Sequence, residues 1–97
     1  MLNQVILVGR LIENPINEEN KIIITIGVNR AFKNENGEYE TDVISCVLWE
    51  GIAKSATEYL VVGDVIGIRG RLQTINDKLI VVANKVTFLS AKKKEEE

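Results

Sequence analysis

Apolar and polar positions alternate with period two from Lys21 to Arg30, where Ile22, Ile24, Ile26 and Val28 share one parity and Ile23, Thr25, Gly27 and Asn29 the other. β-Branched residues at that alternation predict a strand with one strongly apolar face. Before it, Asn3 to Glu13 carries Val5, Ile6, Leu7, Val8, Leu11 and Ile12 and ends at Asn14-Pro15, which predicts a first strand bent at Gly9. Lys33 to Glu38 holds no apolar residue and contains Asn36-Gly37, a dipeptide that supplies the positive φ angles of a tight hairpin. A third strand is therefore expected to return from Tyr39 to Trp49.

Over Gly51 to Leu60 the period changes. Ile52, Ala53, Ala56, Tyr59 and Leu60 fall on one face of a helix, and Gly63 is placed to stop it. Alternation returns from Asp64 to Thr74, with Ile66, Ile68 and Leu72 opposite Gly67, Arg69 and Arg71. Asn76-Asp77 makes a short turn, and a last strand runs from Lys78 to Leu89. The order is three strands, a helix and two strands. Five short strands manage their edges best by closing, so the expected fold is all-β: a five-stranded OB barrel over residues 1–90 with one helix between strands 3 and 4. A plain β-sandwich is the competing architecture. Residues 91–97 form a short charged end.

Length and composition narrow the chemistry. A chain of 97 residues with 45% hydrophobic and 27% charged residues builds one core and one domain. Its net charge of -2 supplies no global positive field, so any anion site must be local. Without histidine, and with Cys46 as the single cysteine, the chain lacks the means for a Cys/His zinc site, a serine–histidine triad or an internal disulfide. No phosphate-cradling glycine motif is present, and the carboxylates are scattered. Neither an enzyme nor a cofactor is expected. The N-terminus has no basic region ahead of its apolar run, which breaks at Arg10 short of the roughly twenty residues a bilayer needs. A soluble, cytoplasmic chain is expected.

What remains is a set of aromatic and basic side chains on a sheet. Aromatic faces stack with unpaired bases and neighbouring cations neutralise phosphates. Trp49 shares the parity of Val43, Ser45 and Val47, and Phe32 opens the polar hairpin between Arg30 and Lys33. For each the competing reading is an aromatic that packs against or caps the barrel. Tyr39 is a weaker candidate, and Tyr59 and Phe88 read as core. Arg10, Arg69 and Arg71 lie within strands and must face solvent, a partner subunit or phosphate. Cys46 alternates with Ile44 and Leu48 and reads as buried and inert.

The stretch Leu2-Asn3-Gln4-Val5-Ile6-Leu7-Val8-Gly9-Arg10-Leu11, with a proline shortly after, resembles the opening of bacterial single-stranded DNA-binding proteins. Val28-Asn29-Arg30-Ala31-Phe32, the polar hairpin, Cys46-Val47-Leu48-Trp49, the stretch Ala53 to Leu60, Gly63 and Gly70-Arg71-Leu72-Gln73-Thr74 follow in that family's order. The resemblance covers about residues 1 to 89 and implies an OB-fold homotetramer that wraps and protects single-stranded DNA in replication, repair or recombination. It implies no catalysis. Phe32 and Trp49 stand where the family places stacking aromatics, Arg30 and Lys33 flank the first, and Val43 stands where some members carry another aromatic. With Arg10 and Arg71 these make the expected DNA-binding set. The strand around Asn3, Val5, Ile6 and Leu7 is where the family's subunits pair.

The chain departs from the family at four places. The Asn76-Asp77 turn is far shorter than the family's long basic and aromatic hairpin, Val61-Val62 replaces positions that are often basic, and Gln4 stands where lysine is common. Instead of an acidic and hydrophobic tip that recruits replication proteins, the sequence closes on Lys92-Lys-Lys-Glu-Glu-Glu97. These differences imply a lower DNA affinity, because a protein that neutralises fewer phosphates gains less from counterion release. A second function remains open: an OB-fold protein-interaction subunit of a primosome-like assembly with weak DNA binding, consistent with the acidic balance.

Overall fold

The computed structural model describes residues 1–49 and 60–89. They form six strands: β1 (Val5–Leu11), β2 (Ile16–Glu18), β3 (Lys21–Lys33), β4 (Tyr39–Trp49), β5 (Val65–Ile75) and β6 (Lys78–Phe88). The sheet runs β1-β5-β6-β4-β3-β2, and an added β1–β3 pairing closes five of the strands into a barrel. Neighbours are antiparallel except β4 and β6, which pair in parallel from Cys46↔Val81 to Leu48↔Ala83. Closure rests on Arg10↔Gly27 and Leu11↔Ile26, extended by the Ile12 amide donating to the Thr25 carbonyl at 3.0 Å.

This corrects the expected architecture of five strands and one helix, since the described residues form six strands and no helix. The extra strand, β2, pairs with the start of β3 through Ile16↔Ile23 and Glu18↔Lys21. Three exposed residues after a proline carry no alternation from which a strand can be read. The residues assigned to the helix, 51–59, lie outside the described residues, as does the charged end. Leu60 is described: it is 6% exposed and joins the core in a non-helical conformation.

The alternation read from the sequence sets the interior. Ile22, Ile24 and Ile26 of β3, Cys46 and Leu48 of β4, Ile66 and Ile68 of β5 and Leu11 of β1 are buried together, and Val5, Leu7, Ile44 and Phe88 pack on them from the rim. Val5 and Leu7 point inward while Ile6 and Val8 point out, as a period of two requires. The barrel turns a corner where Gly70 of β5 passes β6: the register slips by one residue between Arg69↔Lys85 and Gly70↔Ala83. A Cβ on Gly70 would fall on the Val82 carbonyl and stand 2.9 Å from Ala83 Cα, so glycine permits the close approach that the bulge needs.

Candidate nucleic-acid interface

The β3–β4 register arranges residues of one parity in rows, of which Val47 and Gly27 are buried. Lys21 lies beside Trp49, Ile23 beside Val47, Thr25 beside Ser45, Gly27 beside Val43 and Asn29 beside Thr41, and after a bulge Lys33 lies beside Tyr39. From Trp49 to Tyr39 this strip is about 33 Å long at the usual strand rise. Both of its ends pair an aromatic with a cation. The Lys21 ammonium stands 5.7 Å from the Trp49 ring centroid, and the Lys33 ammonium 5.7 Å from that of Tyr39. Trp49 is 44% exposed, so its ring is a surface and not a core plug; Tyr39 and Val43 are exposed as well.

Phe32 sits in the bulged stretch of β3 and is 84% exposed, with little to hold it in the protein. Arg10 and Arg71 approach the strip from opposite sides. Arg10 pairs with Gly27, which pairs with Val43; Arg71 pairs with Val82, which pairs with Val47. Each is thus two strands, about 10 Å, from β4. Among the described residues neither forms an ion pair with a carboxylate: Arg10 donates to the Gly63 carbonyl at 3.0 Å and Arg71 to Gln73 Oε1 at 2.9 Å.

Arg30 is placed differently. Its Nε and Nη2 donate to the Asp42 carboxylate, the shortest contact being 2.8 Å, and its Nη1 donates to Glu40 at 2.9 Å. The hydrogen bonds and charge of Asp42, with the charge of Glu40, raise the Arg30 pKa above its ordinary value. The Arg30 bonds likewise hold the Asp42 carboxyl below the usual carboxylate range. Residues 40 and 42 alternate with 39, 41 and 43, so this cluster lies on the opposite face of the hairpin from Thr41, whose hydroxyl donates to Asn29 Oδ1 at 2.8 Å, and from Lys33 on Tyr39. Sequence adjacency makes Arg30 and Lys33 a pair around Phe32; the strand alternation separates them.

Lys21 and Tyr39 complete the strip, although Lys21 is not among the residues expected from sequence. No sequence signal could have found it, because it reaches Trp49 only through the β3–β4 register. The residues expected to join subunits also divide. Ile6 is outward and 70% exposed, with Val8 beyond it at 55%, while Val5 and Leu7 serve the core. Asn3 is spent inside the chain: its side chain donates to the Leu72 carbonyl and accepts from the Leu72 amide, both at 2.9 Å. Among the described residues no group of three or more His, Cys, Asp and Glu side chains could hold a metal ion.

A closed five-strand barrel whose outer face carries exposed aromatics beside cations defines an OB-type binding domain. The model of the Single-strand binding protein family matches residues 2–92, and the chain belongs to that family. It is 46% identical over 81 residues to the single-stranded DNA-binding protein of Bacillus cereus, an alignment covering 78% of this chain and 48% of that one. Single-stranded DNA-binding protein B of Bacillus subtilis is 36% identical over 109 residues, covering 98% and 96% of the two chains. The chain spans about half the length of the first relatives it matches, and nearly all of the latter. In fold it resembles the crystal structure of a small single-stranded DNA-binding protein from Streptomyces coelicolor, with a TM-score of 0.71 at 16% identity over 95% of this chain and 97% of that one. The family is one of binding proteins and not of enzymes.

Proposed function

We propose that this chain binds single-stranded DNA without sequence preference, stacking bases on Trp49 and Phe32 and meeting phosphates with Lys33, Arg10, Arg71 and Lys21. The observation that carries this reading is the strip itself, in which exposed aromatic rings each lie beside a lysine ammonium on an outward barrel face. Stacking is tolerant of sequence because every base has a π-face, and the adjacent cation supplies the phosphate contact. Relatives at 36–46% identity carry the name of such proteins, which supports the same ligand here.

Protection of single strands during replication, repair or recombination in the cytoplasm, at the nucleoid, follows from that binding. A homotetramer is the proposed assembly, since Ile6 and Val8 present apolar surface on β1. Among the described residues, β1 pairs on the β3 side through Arg10 and Leu11 alone, and the residues before them are the proposed edge for a second copy.

The test follows Trp49 fluorescence as oligo-dT, matched duplex and poly-U are added at low and high salt. Quenching by oligo-dT, a weak response to duplex and a salt-sensitive affinity are expected. The net charge of -2 favours one competing reading, a protein-interaction subunit with little DNA binding. An unresponsive Trp49 together with no gel shift would decide for it.

A further inference from the structure

The cations of the hairpin are not equally available. Lys33 lies over Tyr39. Arg30, two residues before the exposed Phe32, has all three guanidinium nitrogens bonded to carboxylate oxygens of Asp42 and Glu40. One positive and two negative charges leave that cluster at -1, on the face of the hairpin opposite Lys33 and Tyr39 and two residues along the chain from the exposed Phe32. Carboxylate and phosphate use the same guanidinium donors in the same forked geometry, so an incoming phosphate competes with carboxylates already seated on Nε, Nη1 and Nη2.

The competitors are also pre-positioned. Asp42 is held opposite Val28 by the β3–β4 ladder. Glu40 accepts a second hydrogen bond, from Asn34 Nδ2 at 3.1 Å, and Asn34 in turn organises the hairpin loop through Oδ1, which accepts from the Asn36 and Glu38 amides at 2.8 and 3.0 Å. The loop that follows Phe32 therefore also holds an acid against Arg30.

We propose that Glu40 and Asp42 act as built-in competitors for Arg30, setting the affinity of this hairpin for nucleic-acid phosphate below what its cations would give. The proposal rests on the single-strand binding reading above. It makes the two carboxylates affinity-determining residues that act through Arg30, and it accounts for an arginine, two residues from an exposed aromatic, whose three nitrogens already hold carboxylates before any ligand arrives.

The test compares oligo-dT affinity across a salt series for the wild type, the double variant Glu40→Gln/Asp42→Asn and the control Glu35→Gln/Glu38→Gln. The control removes the same two charges from the same hairpin without touching Arg30. Gln at position 40 keeps the acceptor for Asn34. The Glu40→Gln/Asp42→Asn protein should bind about fivefold tighter than the control, the order that releasing two exposed ion pairs allows. Its salt slope should steepen by about 0.7, one added phosphate contact. Both gains should vanish when Arg30→Ala is added. An equal gain in the control, a gain that survives Arg30→Ala, or no gain at all would overturn the proposal while the wild type still binds. If no protein in the series binds oligo-dT, the binding reading itself fails and the proposal with it.

Discussion

Trp49 and Lys21 form the unit from which the proposed strip is built. Because the indole is nearly half exposed, Trp49→Ala removes a stacking face without opening a core cavity. Oligo-dT affinity should fall by about 1–3 kcal/mol with thermal stability nearly unchanged, as titration and calorimetry of one sample would show. Cys46 gives a contrasting residue-scale prediction. Burial pushes its thiol up to about 12, above the ordinary value near 8.5. The folded protein therefore keeps its proton while the unfolded chain loses it, so the contribution is complete below about pH 8.5 and falls as pH rises toward 12. The fall is about 1.4 kcal/mol per pH unit. Urea melts at alkaline pH should show this decline in the wild type and a shallower one in Cys46→Ala. At this scale the residue types are legible in the sequence: an isolated Trp after an alternating strand and a Cys between Ile44 and Leu48. The partners are not. Lys21 lies far from Trp49 in sequence, and the acids that occupy Arg30 come from the returning strand.

Two hairpins show how local chemistry can be read correctly as a turn and differently in its geometry. Asn36-Gly37 is expected to supply a tight turn with positive φ. Instead Gly37 alone has positive φ, at 79°, in a longer loop closed by the Asn34 amide on the Glu38 carbonyl, with the Gly37 amide donating to Asn34. The paired positive φ angles of a two-residue hairpin occur at Asn76 and Asp77, at 53° and 67°, between Ile75 and Lys78. The register of the flanking strands chooses the turn, and Asn34 has enough side-chain acceptors to stabilise the longer loop. Glycine substitutions separate two costs. Gly37→Ala meets open space and suffers only the φ penalty, about 1 kcal/mol. Gly70→Ala drives a methyl into the backbone of β6 and should cost about 3 kcal/mol or more. Chemical denaturation of both variants should rank them in that order.

For the molecule as a whole, the acidic net charge makes binding depend on a few placed cations. If Lys21, Lys33, Arg10 and Arg71 each release one counterion, log affinity for oligo-dT against log salt should have a slope of about −3, the product of four contacts and the single-strand value near 0.7. A markedly steeper slope in filter binding would require further phosphate contacts beyond this strip. Assembly is testable at the same scale. Ile6→Glu puts a charge on the apolar outer face of β1, away from the core and the strip, and should shift sedimentation toward the monomer while leaving the fold intact.

Residue order alone is enough to tell that the five long segments are strands, which of their faces is buried and which aromatics are left over. Side-chain alternation is a local property, and β-branched residues on one parity define a core face whatever the partner strand is. Closure of the barrel through β1 and β3, the addition of β2, the meeting of Lys21 with Trp49, and the capture of Arg30 by Glu40 and Asp42 came only with the folded chain. All of these depend on register between segments distant in the chain. A slip of one residue would exchange every side chain between faces, and only the summed packing of the closed barrel selects the register that is seen.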